Sequence, residues 1–191
     1  MRVYCRRAAA AVAAICLILG HSPASVSQAG AGEYQVKAAF LYNFAKFVDW
    51  PPQAFARGGP SFTICLAGDP FAQELDKIVQ GEVLDNRPLM VRRLAHGEDM
   101  RGCQMIYIAS EEAKRSAEIL KAVDDDPILT VGESDDFIDN GGIIRFIKTG
   151  GRIHFQINPD AAERVSLKIS ARLLRLAEIV RPRPRQRAGV L

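Results

Sequence analysis

The run Phe62-Thr63-Ile64-Cys65-Leu66-Ala67, nearly all apolar, with β-branched members and closed by Gly68-Asp69-Pro70, constrains this chain more than any other feature. A short apolar run bounded by Pro60 and Gly68 reads as a buried strand. Asp69 is a good helix N-cap and Pro70 fits the first helical position, so a helix over residues 70–79 is expected to follow. The same succession recurs twice. Gln104-Met105-Ile106-Tyr107-Ile108 leads to Ser110, which should cap a helix running to Val123, and Ile128-Leu129-Thr130-Val131 runs into Gly132. Strands alternating with helices call for crossover connections and a parallel sheet.

The flanking segments fit around that centre. Val36, Phe40, Phe44, Phe47 and Val48 recur at helical spacing, which predicts a helix over residues 33–48 with an aromatic face. Asp49-Trp50-Pro51-Pro52 stops it, because Pro51 removes a donor and pushes Trp50 out of the helical region. Residues 88–92 form a short strand and residues 96–101 a polar turn. Residues 143–147 and 152–157 flank Lys148-Thr149-Gly150-Gly151, an antiparallel hairpin pattern. Asn158-Pro159 opens a short helix through Arg164, residues 167–169 make an edge strand, and Ser170 begins a terminal helix over residues 171–180. The expected fold is a single α/β domain, with a mixed, mostly parallel sheet, flanking helices, and a C-terminal antiparallel hairpin plus helix. Hydrophobic and charged fractions of 48% and 25% suit one globular domain in a chain of 191 residues.

The net charge of +3 suggests nucleic-acid binding until its location is considered. Residues 1–29 hold Arg2, Arg6 and Arg7, no acid, an apolar run over residues 8–20 and the small-residue exit Ser27-Gln28-Ala29. That is the pattern of a cleavable secretory signal, with cleavage after Ala29 or Ala31, and the apolar run is too short to span a bilayer. The folded domain then covers residues 30–181. Residues 182–191 continue the alternation of Arg181, Arg183 and Arg185 with Pro182 and Pro184, an extended basic tail expected to be disordered. Without leader and tail the chain before Arg181 holds 18 basic and 22 acidic residues, so a nucleic-acid partner is not expected. Export to the periplasm also bears on the cysteines. Cys5 and Cys16 leave with the signal, and the remaining Cys65 and Cys103 are expected to pair, the alternatives being buried free thiols or an intermolecular bridge.

Motifs for chemistry are scarce. The sequence holds no G-x-G-x-x-G, Walker A, H-E-x-x-H or G-x-S-x-G motif, so neither a catalytic residue nor a cofactor is nominated. His96 and His154 lie far apart, and Asp124-Asp125-Asp126 lacks calcium-loop spacing, so no metal site is assigned. Asp135-Asp136-Asp139 sits where a short helix is expected to begin. The three strand-to-helix turns at Gly68, Ala109 and Gly132 would share one sheet edge, the edge where α/β proteins bind ligands. Binding therefore outranks catalysis.

Several segments taken in order carry a resemblance. They are Tyr34-Gln35-Val36-Lys37-Ala38-Ala39-Phe40-Leu41-Tyr42-Asn43-Phe44-Ala45-Lys46-Phe47-Val48-Asp49-Trp50-Pro51, Cys65-Leu66-Ala67-Gly68-Asp69-Pro70 and Gly102-Cys103-Gln104, followed by Leu129-Thr130-Val131-Gly132-Glu133 and Gly141-Gly142-Ile143-Ile144. Phe155-Gln156-Ile157-Asn158-Pro159-Asp160-Ala161-Ala162 and Leu167-Lys168-Ile169-Ser170-Ala171-Arg172-Leu173-Leu174 complete the set. The chain resembles the YfiR-like family of periplasmic proteins over about residues 33–181. The resemblance implies a homodimeric α/β domain with a structural disulfide on Cys65 and Cys103. It implies a repressor that binds the periplasmic domain of an inner-membrane diguanylate cyclase, and that an outer-membrane, peptidoglycan-associated lipoprotein sequesters. The second disulfide of the best-understood member has no counterpart here, and Gln156 stands where a glutamate is common. The expected partner surface is the hairpin and the segment C-terminal to it, around Phe146, Phe155, Asn158 and Lys168. A small-molecule binding accessory of a receptor or transporter, using the strand-end crevice, is the alternative function.

Overall fold

The computed structural model describes residues 28–182; the leader through residue 27 and the tail from Arg183 lie outside the described residues. In chain order the elements are α1 (Gln28–Lys46), β1 (Val48–Asp49), β2 (Phe62–Ala67), α2 (Glu74–Val79), β3 (Val83–Leu84), β4 (Arg87–Leu94), β5 (Met105–Ile108), α3 (Ala113–Ala122), β6 (Leu129–Gly132), β7 (Ile144–Thr149), β8 (Arg152–Ile157), α4 (Pro159–Arg164), β9 (Lys168–Ile169), α5 (Ala171–Leu174) and β10 (Glu178–Ile179). An eight-stranded sheet runs β10-β8-β7-β6-β5-β2-β4-β3. Its centre, β4-β2-β5-β6-β7, is parallel, and β3 and β8 add antiparallel partners to its two ends. The predicted α/β class holds.

Period-two alternation explains why the central strands are apolar throughout. Ile64 and Leu66 of β2, with Met105 and Tyr107 of β5, face a core shared with α1 and α2. Cys65 and Ala67, with Ile106 and Ile108, face a second core built on α3. Every residue of β5 and β6 is buried, as a sheet covered on both sides requires. Gln104, just before β5, is fully buried but satisfied: its Oε1 accepts from the Thr63 amide at 2.7 Å and its Nε2 donates to the Ala54 carbonyl at 2.7 Å.

Several expected elements differ. On α1 the buried stripe is Lys37, Ala38, Leu41, Phe44, Ala45 and, beyond its end, Val48, while Val36 is 45% exposed. The stripe is thus turned from the expected aromatic one, placing a lysine inside. The helix expected over residues 70–79 starts only at Glu74, because Asp69 is used otherwise: its Oδ1 accepts from the Phe71 amide at 3.0 Å and its Oδ2 from Arg93 Nε at 2.6 Å. Ser110 makes no side-chain cap; a 3-10 turn over Ser110–Glu112 leads into α3. The strand expected over residues 88–92 is longer and carries the unforeseen β3, joined through Asp85 and Asn86, both at positive φ. No helix begins at Asp135; residues 135–141 form turns around the buried Phe137.

The terminal helix over residues 171–180 is the largest correction. After α5, which is only four residues long, the chain extends as β10 and pairs in parallel with β8, and the Val180 amide donates to the Ile157 carbonyl at 2.9 Å. A continued helix would have left the outer edge of β8 without partners. The hairpin and α4 match expectation: β7 and β8 turn through Gly150 and Gly151 at φ 58° and 75°, and Asn158 Oδ1 accepts from the Ala161 amide to cap α4. The edge strand β9 pairs with β1, outside the main sheet.

Candidate functional site

The strand order reverses direction between β2 and β5. From β2 the chain crosses to β4 on one side, and from β5 to β6 on the other, so the crevice between the carboxyl ends of β2 and β5 is where an open α/β sheet would receive a ligand. On the α1 face the protein fills this crevice itself. Tyr107 of β5 is fully buried and its ring lies 4.7 Å from that of Phe71, which in turn meets Tyr34 of α1 at 5.7 Å. The Tyr107 hydroxyl donates to Glu133, the first residue past β6. Glu133 Oε1 lies 2.9 Å from Lys37 Nζ, which also donates to Glu33 Oε1 at 2.5 Å, and Glu33 Oε2 accepts from Lys148 Nζ of β7 at 2.6 Å. One chain of polar contacts thus ties β5, β6, β7 and α1 together.

Its electrostatics argue for tethering. Burial works against a charged Lys37, but the hydrogen bonds to Glu33 and Glu133 outweigh it and hold the ammonium above the usual lysine value. Burial likewise pushes the Glu33 carboxyl up, while Lys148 and Lys37 pull harder and leave it below its ordinary value. Burial and the neighbouring Glu133 carboxylate push the Tyr107 phenol upward, so it stays a donor. Lys37 and Glu33 are locked in their ionised forms near neutrality, the reverse of a group poised to exchange a proton. A cleft of about 210 Å³ beside them is lined by Asp135, Arg145 and Lys148, with Arg145 paired to Asp135.

On the α3 face the carboxyl edge is open. A cleft of about 440 Å³ lies between the ends of β2 and β4, the loop over residues 95–101 and α3. Its floor includes Ala67, Leu94, Ile119 and Val123, and its rim carries Glu98, Glu118 and Asp126 with Arg101 and Arg115. With its apolar floor and its rim of charges of both signs, the cleft has the size of a small-molecule pocket. Below it the Cys65–Cys103 disulfide links β2 to the residue before Gln104, with Cα atoms 5.8 Å apart. The expected pairing of these two cysteines is present. Arg92 Nη2 donates towards Cys103 Sγ at 3.2 Å. Among the described residues no group of three His, Cys, Asp or Glu side chains could hold a metal ion, and His96 and His154 are both exposed.

The four residues expected at a partner surface do not stand together on it. Phe146 and Phe155 are each 3% exposed and pack with Phe40 and Phe44 at centroid distances of 5.1–6.0 Å. Asn158 is 2% exposed and serves as the cap of α4, whereas Lys168 is exposed on β9. The polar chain through Lys37 and Glu133 was the feature not nominated from sequence, although Glu33 and Lys37 at helical i, i+4 spacing were a visible cue.

Comparison with known proteins adds a family. No curated protein matches the chain as a named relative. The YfiR/HmsC-like family matches residues 34–178, which takes in almost the whole described fold, from the aromatic turn of α1 to the edge strand β10. The chain belongs to the YfiR/HmsC-like family.

Proposed function

We propose that this protein is an exported repressor of cyclic-di-GMP synthesis, acting as a homodimer on the periplasmic domain of an inner-membrane diguanylate cyclase and withdrawn from it by an outer-membrane, peptidoglycan-associated lipoprotein. Membership of a family of periplasmic regulators is the observation that carries this reading. Its members regulate rather than catalyse, and on the α1 face the crevice at the β2–β5 switch point is filled by Tyr107, Phe71 and the ion-paired Lys37 and Glu33. Repression then requires only that the protein bind the inactive cyclase more tightly than the active one. With Phe146, Phe155 and Asn158 committed to packing, the contact surface is made of their exposed neighbours: Lys168, the hairpin tip around Arg152, and the surface of α5.

Deleting the gene in a strain that expresses the protein is expected to raise cyclic-di-GMP and biofilm formation, and unchanged levels argue against repression. The cleft of about 440 Å³ beside α3 supports a second reading, a small-molecule binding accessory of a receptor or transporter. Thermal-shift screening of the purified domain with amino acids, nucleotides and amines tests it, and a flat response across the panel removes it.

A further inference from the structure

The open cleft on the α3 face has two walls. One is the stripe of α3 that carries Arg115, Glu118, Ile119 and Ala122, continued past the end of the helix by Val123 and Asp126. The other is the loop over residues 95–101, tied to β4 by Arg92, whose Nη2 donates to the Asp99 carbonyl at 2.9 Å. Five carboxylates line the cleft against two arginines and one histidine. Both arginines are already engaged, Arg101 with Asp99 at 2.6 Å and Arg115 with Glu112 at 2.7 Å, and the Arg115 Nε, though without a partner, is closed to solvent. On the acidic side Glu98 accepts from the Ala95 amide at 2.8 Å and Asp126 has only Arg57 at 3.8 Å. The exposed Glu118 has no ion-pair partner among the described residues. The uncompensated charge around the apolar floor of Leu94, Ile119 and Val123 is therefore negative.

We infer that this cleft receives an organic cation, an ammonium or guanidinium head on an apolar body. The head offsets Glu118 and Asp126 at the rim, and the body lies on the apolar floor, where removing its own surface from water supplies most of the affinity, since ion pairs at an exposed rim are weak. An anion is rejected, because it would face five carboxylates with both arginines already engaged. A neutral molecule of the same shape gains the floor without the rim. The inference rests on the reading of the cleft as a small-molecule site, names the chemistry of its ligand, and stands apart from repression.

The test is a titration of the purified protein with octylamine, octan-1-ol and octanoate, followed by the amide resonances of residues 95–101 and of α3. Octylamine is expected to shift them, octan-1-ol to bind roughly twofold to fivefold more weakly, and octanoate to leave them in place. Hexylamine, two methylenes shorter, is expected to bind roughly fifteenfold more weakly than octylamine. Glu118→Gln is expected to weaken octylamine roughly twofold to fivefold and to reduce the salt dependence of its binding. Glu163→Gln, on α4 and outside the cleft, leaves octylamine binding unchanged. Binding of octan-1-ol or octanoate as tight as that of octylamine overturns the inference but leaves the small-molecule reading standing. An equal loss in Glu163→Gln does the same, because the overall charge of the domain would then explain the preference. No shift of these resonances with any of the probes overturns the inference together with that reading.

Discussion

At the scale of single residues, Lys37 shows how a buried charge is made tolerable. It is 2% exposed, on the inward stripe of α1, and its ammonium is held by Glu33 and Glu133 with the Tyr34 ring 4.7 Å from it. Replacing it with an apolar residue leaves Glu33 with only Lys148 and Glu133 with only the Tyr107 hydroxyl, so Lys37→Met is expected to destabilise the domain by about 2–4 kcal/mol in urea unfolding, and adding Glu133→Gln to recover part of that. Within this cluster the acid-side pH dependence comes from Glu33. Its folded pKa is lowered from 4.5, so its contribution is fully present above that value and is lost as pH falls through the folded value, an acid-side slope that shrinks in Lys37→Met. Phe137 illustrates a steric constraint of another kind. Its ring lies between the backbones of Gly132 and Gly142, and a Cβ at either position would overlap the ring. Gly142→Ala should cost about 1–3 kcal/mol or shift the ring, a result that unfolding and the near-ultraviolet signal would register, and an unchanged midpoint would contradict the sandwich.

At the scale of elements, the disulfide and the sheet edges do most to fix the arrangement. The Cys65–Cys103 bridge spans 38 positions and joins β2 to the start of β5, the two strands that flank the switch point. Removing it with Cys65→Ala/Cys103→Ala is expected to cost about 4 kcal/mol, measured by unfolding against the oxidised protein; loss of less than about 1 kcal/mol would contradict the entropic account. The central strands, the hairpin, α4 and the disulfide were legible in the sequence because each rests on local signals: unbroken apolar runs, a Gly-Gly turn, an Asn-Pro cap, two remaining cysteines. The start of α2 was not, because Asp69 was diverted to Arg93, a partner 24 positions away. Nor was β10, since Leu173, Leu174, Ala177 and Val180 fit a helix equally well until the unpaired edge of β8 enters. The partner residues were misplaced for a related reason. The aromatic pattern of Phe146 and Phe155 records their packing against α1, which periodicity within the hairpin cannot distinguish from a sticky surface.

At the scale of the whole molecule, the protein is a sheet whose ligand edge is plugged on the α1 face and open on the α3 face. Among the described residues no helix is long and apolar enough to cross a membrane. The central claim is that the protein lowers cyclic-di-GMP from the periplasmic side. It is tested most directly by measuring cyclic-di-GMP in a deletion strain that carries either the full chain or one lacking residues 2–29, with matched protein levels. Restoration of low cyclic-di-GMP by the full chain alone is the predicted result; equal restoration by both forms, or by neither, would contradict it.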